Sequence, residues 1–302
     1  MRQQINIKVF FVMLVICGIW GSQQVAMKSI QHNIPLALQI GIRSGAAALF
    51  VIILFNSRDR ILHRLSNQKL LCSALAVGLF FALEFFFVSA AIFRTETSHV
   101  SLFLYTAPVF TAVGLHFLIP RERLNRYQWT GIALAMAGIA VAVGVNLSPE
   151  SNWSLTGDLC SVSAGFVWGL SSILIRCSSL SRIPASCTLF YQLAVTSILL
   201  CSYAFMFDEY RIIPDGTSFL NLLCQTVVIS FMSYMIWFSL LKKYQVASLS
   251  SLILMTPLIG LLTGHIILDE TLTPGFITGA VLILTGLLFT IFFSGKSSME
   301  HI

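Results

Sequence analysis

The sequence predicts an all-α membrane protein of ten transmembrane helices, arranged as two inverted five-helix repeats. Composition is the first reason. Of the 302 residues, 57% are hydrophobic and only 10% are charged, whereas soluble domains carry about 25% charge and about 45–50% apolar residues. Such a chain cannot cover itself with polar surface, so its solvent is lipid. The second reason is segment length, since ten apolar runs approach the roughly 20 residues that a spanning helix needs. The third is an internal repeat of about half the chain.

The spans fall at 9–28, 35–55, 70–92, 99–119, 127–146, 157–176, 185–206, 218–241, 246–267 and 273–293. Arg2 and Lys8 precede the first run as they would a signal peptide, but the run is long enough to span, and its Trp-Gly pair recurs later, so it reads as a retained helix. Pro35, Pro184 and Pro274 stand at helix starts, where a missing N–H costs nothing. The connections are too short to hold a soluble domain.

The repeat is clearest between 99–140 and 248–289. Pro108 matches Pro257 and His116 matches His265 at an offset of 149 residues. Glu122 matches Glu270, Gly131 matches Gly279 and Gly138 matches Gly286 at 148. Trp20-Gly21 recurs as Trp168-Gly169, Lys28 falls on Arg176, and Arg94 falls on Lys243. This period exceeds the roughly 20–50 residues of solenoid repeats. It marks a duplicated half-protein, residues 1–148 and 149–302. Five spans per half is an odd number, so the halves take opposite orientations in the membrane.

Charge sets the orientation. With the N-terminus inside, 14 of the 18 basic residues lie on the inner side, among them Arg58, Arg60, Arg64, Arg121, Arg123, Arg126, Arg176 and Arg182. Lys28, Arg94 and Arg211 lie outside, and Arg43 lies within a span. The positive-inside rule therefore puts both termini in the cytoplasm. Glu96, Glu150, Asp158, Asp208, Glu209, Asp215, Asp269 and Glu270 mark the outer loops.

The net charge of +6 is spread over short gaps, with no basic face and no interleaved stacking aromatics, so it does not indicate nucleic acid. The seven cysteines form no Cys-x-x-Cys pair and read as small apolar residues. Metalloprotease, nucleophile-elbow and P-loop motifs are absent, which argues against an enzyme and against a bound cofactor or metal. Two Asn-x-Ser sequons, at Asn146 and Asn152, fall in a predicted outer loop.

Two ionisable residues lie deep in predicted spans, Arg43 in the second and Glu84 in the third. Such groups are costly in lipid and are functional candidates by default. Each lies eight residues from the outer end of its span, roughly 12 Å at 1.5 Å per residue, so a direct or water-bridged pair is geometrically possible. One reading is a neutralising pair that holds two helices together. The other is a substrate-facing or proton-linked site. The second repeat offers Tyr191 or Gln192 opposite Arg43 and Ser233 opposite Glu84, so an ionic site is one-sided.

Further cavity candidates are Trp20 and Gln23 in the first span, Tyr105 in the fourth, Trp168 and Ser171 in the sixth, and Tyr234 and Trp237 in the eighth. Ser101 with Ser250 and Ser251 form a second polar group. These side chains can hydrogen-bond and stack on a small solute, or serve as glue between helices. Pro108 and Pro257 sit in mid-span, where each frees a carbonyl and suggests a kink, hinge or gate at the repeat interface. His116 and His265 read as packed or solvated. The glycine-rich fifth and tenth spans read as packing or subunit-contact helices.

Each half thus has Trp-Gly in its first helix, a proline in its fourth, a Glu-x-Leu turn and a Gly-x6-Gly fifth helix. The turns are Glu122-Arg123-Leu124 and Glu270-Thr271-Leu272. Doubled and in order over nearly the whole chain, this pattern resembles the drug/metabolite transporter superfamily and specifically its EamA family. The resemblance implies export or exchange of amino acids and other small metabolites across a bacterial inner membrane, by alternating access around a central cavity lined by helices other than the fifth and tenth. It does not carry a substrate. An arginine is common near Arg43 in the family, which favours a structural role there, while Glu84 is outside the shared pattern.

The expected function is a secondary transporter of small metabolites, amino acids first, with protons as the candidate coupling ion and either a monomer or a homodimer as the unit. Another solute class, such as a drug or a nucleotide-linked or sulfonium metabolite, is the alternative. A non-transporting receptor or scaffold would call for a soluble domain or an extended tail, and only nine residues follow Phe293.

Overall fold

The computed structural model describes residues 7–66, 68–120, 123–144, 155–244, 249 and 252–292. Expectations for Arg2, Arg121, Glu122, Glu150, Ser250, Ser251, Lys296 and the two sequons lie outside the described residues. Within them the chain is helical and contains no strand. The α-helices are α1 (Ile7–Gly21), α2 (Gln23–Ser29), α3 (Leu36–Asp59), α4 (Gln68–Arg94), α5 (Thr97–Leu104), α6 (Ala107–Leu118), α7 (Arg126–Gly144), α8 (Leu155–Cys177), α9 (Ala185–Met206), α10 (Gly216–Cys224), α11 (Tyr234–Lys243), α12 (Met255–Leu268) and α13 (Pro274–Phe292). Among the described residues, seven helical stretches are long and apolar enough to cross a membrane, two of them made of paired helices, Ile7–Ser29 and Thr97–Leu118. Met255–Leu268 and Pro274–Thr290 are apolar but shorter. This is a multi-pass membrane protein. Large apolar side chains such as Ile53, Phe93 and Met206 stand exposed on its outside, as lipid permits.

The spans are less regular than the sequence suggests. Pro108 does not kink a continuous helix. The helix ends at Leu104, turns through Tyr105 and Thr106, and restarts with Pro108 in the first turn of α6. The reason is local. A proline ring collides with the carbonyl four residues back and lacks an N–H, so a break just after Leu104 removes both conflicts at once. Thr106 Oγ1 then donates to the Phe103 carbonyl at 2.6 Å. Pro257 likewise lies in the first turn of α12, directly after a turn at Leu254. The first span is interrupted at Ser22 without a proline. The eighth span stays continuous but widens to π-helical geometry over Gln225–Ser233, a departure frequent at functional sites.

The Trp-Gly pairs explain how the two halves hold together. A Cβ built on Gly21 would stand 2.8 Å from the Thr256 carbonyl and 3.0 Å from the Gly260 nitrogen, so α1 presses backbone to backbone on α12. A Cβ on Gly169 would stand 2.9 Å from Phe110 Cβ and 3.2 Å from the Ala107 carbonyl, so α8 does the same to α6. Each repeat's first helix therefore crosses the proline half-helix of the other repeat.

Gly165 of α8 faces the break itself, where a Cβ would stand 2.8 Å from the Phe103 carbonyl and 3.0 Å from that of Leu104. The glycine-rich α7 and α13 pack on each other, so closely that a Cβ on Gly131 would stand 2.6 Å from the Gly286 carbonyl and one on Gly138 2.8 Å from the Gly279 carbonyl. The main core lies where α3, α4, α8 and α9 meet, around Val51, Val77, Phe85 and Leu189.

Candidate functional site

The site lies where α1, α3, α4, the α5–α6 break and the π segment converge. Arg43, on α3, is 1% exposed, and Glu84, on α4, is 5% exposed. No ion pair joins them among the described residues, although the two side chains and the Tyr105 and Tyr234 hydroxyls lie close enough to influence one another electrostatically. The direct pairing that equal depth suggested is absent because Arg43 is held elsewhere. Its Nη1 donates to Gln225 Oε1 at 3.1 Å, and its guanidinium lies 5.0 Å above the Phe85 ring.

Gln225 is itself fixed. Its Nε2 donates to Asn221 Oδ1 at 2.8 Å and Gln39 Oε1 at 3.3 Å, and Gln39 Nε2 donates to the Ile34 carbonyl at 2.7 Å. Arg43 Nε and Glu84 Oε2 are left buried without a hydrogen-bond partner, as is Gln24 Oε1. Unpaired polar atoms in a buried site are costly, and the two on Arg43 and Glu84 are a feature to be explained.

Aromatic rings wall the same space. Trp20 Nε1 donates to Ser233 Oγ at 2.7 Å, and its ring centroid is 5.3 Å from Tyr234 and 5.7 Å from Trp237. Phe81 stands edge-on to Phe85 at 4.9 Å and to Tyr234 at 6.5 Å. Trp168 meets Tyr105 edge-on at 5.4 Å.

Of the sequence candidates, Trp20, Arg43, Glu84, Tyr105, Trp168, Tyr234 and Trp237 come together. Ser171 does not join them, since it accepts from Gln192 Nε2 at 3.5 Å and ties α8 to α9. Gln23 is buried in the turn after the first break, beside Gln24. The sequence reading missed Gln39 and Gln225. Gln39 had a signal, standing four residues before Arg43 in an apolar run and so on the same helix face. Gln225 had none, because its contact with Arg43 spans 182 residues.

Beyond Tyr234 and Trp237 on α11, a cleft of about 370 Å³ opens among Phe55, Arg58, Asp59, Ser186, Met235 and Tyr244. Asp59 is buried there and accepts from Ser186 Oγ at the start of α9. At the opposite end of the bundle the chain is tied shut. Glu270 accepts from the amides of Thr97 (2.6 Å) and Ser98 (2.9 Å) and from Lys28 Nζ (3.3 Å). Asp158, wholly buried, accepts from Thr95 Oγ1 and His99 Nδ1, each at 2.9 Å, and the His99 ring stacks on Phe276 at 3.9 Å.

His116 and His265 serve their turns. His116 Nδ1 accepts from the Leu124 amide at 2.8 Å, and His265 Nδ1 donates to the Glu270 carbonyl at 2.7 Å.

The comparisons with known proteins agree with this architecture. The EamA-like transporter family matches twice, over residues 7–144 and 155–292. A probable amino-acid metabolite efflux pump of Escherichia coli is 31% identical, covering 92% of this chain and 93% of its own. One of the same description from Salmonella typhimurium is 29% identical over 93% and 94%. An uncharacterised transporter of Bacillus subtilis is 24% identical over 95% and 97%. A solved crystal structure shares the fold, with a TM-score of 0.65 at 19% identity over 94% of this chain and 97% of that one. With two family matches spread over nearly its whole length, this chain belongs to the EamA-like transporter family, within the drug/metabolite transporters.

Proposed function

We propose that this chain is a secondary transporter that exports or exchanges amino acids and related small metabolites across a bacterial inner membrane. It works by alternating access, with ten spans in two inverted repeats, 1–148 and 149–302, and with both termini cytoplasmic. The observation that carries the reading is the buried cluster itself. Two ionisable side chains of opposite type, with no ion pair between them, sit among aromatic rings where broken and widened helices meet. Broken helices at membrane depth are tolerated where they are buried in protein or line a cavity, and intramembrane charges mark solute or proton pathways.

The names of the relatives support amino acids as the first class to test. Pro108 and Pro257 serve as the hinges, since each begins a half-helix pressed against the other repeat. The cleft beside Asp59 is the inward mouth, and the Glu270 tie closes the outward one.

The test is counterflow into proteoliposomes carrying the full chain, using a panel of labelled amino acids with drug, nucleotide-linked and sulfonium metabolites as further arms. Saturable exchange of one or more amino acids is expected. Exchange confined to the other arms reassigns the substrate class, and no exchange with any solute overturns transport. Repeating the assay under an imposed pH gradient tests proton coupling.

A further inference from the structure

We infer that Arg43 and Glu84 form a split clamp for a free amino acid, with Arg43 taking the α-carboxylate, Glu84 the α-ammonium and the Trp20–Phe81–Tyr234–Trp237 rings the side chain. This rests on the transport reading above and adds residue roles and a chemical requirement to it. Opposite charges buried close together attract strongly, and nearby partners close into contact unless something restrains them. Here Arg43 is restrained by Gln225, which is anchored in turn by Asn221 and Gln39, and by the Phe85 ring beneath it.

The charges remain apart, and each keeps one buried atom without a protein partner, the Nε donor of Arg43 and the Oε2 acceptor of Glu84. These two atoms are complementary in kind. A carboxylate satisfies the first and an ammonium the second, and a zwitterion carries both. A lone cation or anion would leave the opposite buried charge unmatched, which is strongly unfavourable. The other buried acidic side chains, Asp59, Asp158 and Glu270, are engaged in bonds of their own.

The ring wall adjoins Glu84 directly, since Phe81 lies three residues before it on α4 and faces Tyr234. A solute held between Arg43 and Glu84 would lay its side chain against these rings, which suits an apolar or aromatic amino acid. The Trp20 indole is already bonded to Ser233, so that ring serves as a wall rather than as a donor to solute.

The experiment uses the reconstituted full chain and the probes leucine and phenylalanine, with their α-amides and N-acetyl derivatives as competitors. In the unaltered protein each derivative should compete about ten- to hundredfold more weakly than the free amino acid, because one charge-assisted bond is lost. Glu84→Gln should narrow the gap between free and N-acetyl forms and leave the amide discriminated. Arg43→Gln should do the converse. If that variant does not fold, Arg43→Lys, which keeps the charge without the Nε donor, should weaken carboxylate recognition while retaining some discrimination against the amide.

A merely structural pair would lower transport of all forms alike. Equal competition by amides and N-acetyl forms in a transporting protein overturns the clamp and leaves the transport reading standing. So does a Glu84→Gln protein that loses only its response to a pH gradient, which would make Glu84 the proton carrier.

Discussion

Glu270 shows what one carboxylate can do at the end of a bundle. The first amides of a helix have no partner within it. At the start of α5 the residue in the capping position, Glu96, makes no capping bond with its own side chain. The partner comes from across the protein. Glu270 Oε1 takes the Thr97 amide and hydroxyl and the Lys28 ammonium, and Oε2 takes the Ser98 amide. A negative charge at a helix N-terminus also favours the helix dipole.

Burial pushes the Glu270 carboxyl upward, but the amides of Ser98 and Thr97 and the charge of Lys28 outweigh it and hold it below its ordinary value of 4.5. A depressed folded value means stability that is complete above the ordinary value and lost as pH falls through the lower one. Glu270→Gln should therefore cost about 1–3 kcal/mol near neutrality, with the difference from the unaltered protein shrinking as pH falls through the lowered value. Thermal unfolding in detergent across that range measures it, and a difference that persists unchanged into acid would assign the stabilisation to packing. Glu270 was visible in the sequence as an outer-loop acid and as part of a doubled Glu-x-Leu turn. Its role was not, because a cap drawn from 173 residues away leaves no local pattern.

At the scale of helices, the sequence marks where regular structure must yield better than how it yields. Pro108 and Pro257 announced an interruption, and a break one turn earlier satisfies the same steric demand as a kink. The interruption at Ser22 and the widening over Gln225–Ser233 carry no proline, and an apolar run reads alike in either geometry. The recurrence of Trp-Gly was plain in the sequence, but its cause is a contact between repeats. Gly21 and Gly18 of α1 isolate that cause. A side chain at Gly21 meets the α12 backbone at 2.8 Å, while nothing stands within 4 Å of a side chain at Gly18. Gly21→Ala should force α1 from α12 at a cost of about 1–3 kcal/mol and lower transport. Gly18→Ala should be neutral or stabilise by up to about 1 kcal/mol. Unfolding midpoints of the two variants decide it, and equal effects would show that helix propensity governs both.

For the whole molecule, contacts around one repeat-related pair bear on the proposed inversion of the two halves. Lys28 reaches the Thr95 carbonyl, and Thr95 reaches Asp158 at the start of α8. Arg176, which matches Lys28 in the second half, stands near the other end of that helix, about 27 Å from Asp158 at 1.5 Å per residue. This repeat-related pair thus lies towards opposite ends of α8, the placement that the proposed inversion requires. Geometry alone does not say which end faces the cytoplasm, and here the charge distribution of the sequence supplies the missing half of the argument. Arg58 and Arg182 share one end, and α9 leads from Arg182 towards Arg211 at the other, all three exposed. Single cysteines at these three positions, in a chain freed of its seven native cysteines, should divide cleanly. A membrane-impermeant maleimide should label position 211 in intact cells, and positions 58 and 182 only after permeabilisation. Labelling of 182 and 211 from the same side would break the crossing assigned to α9. Labelling of 58 and 182 from outside would keep the bundle and turn it over, and with it the assignment of the Asp59 cleft as the inward mouth.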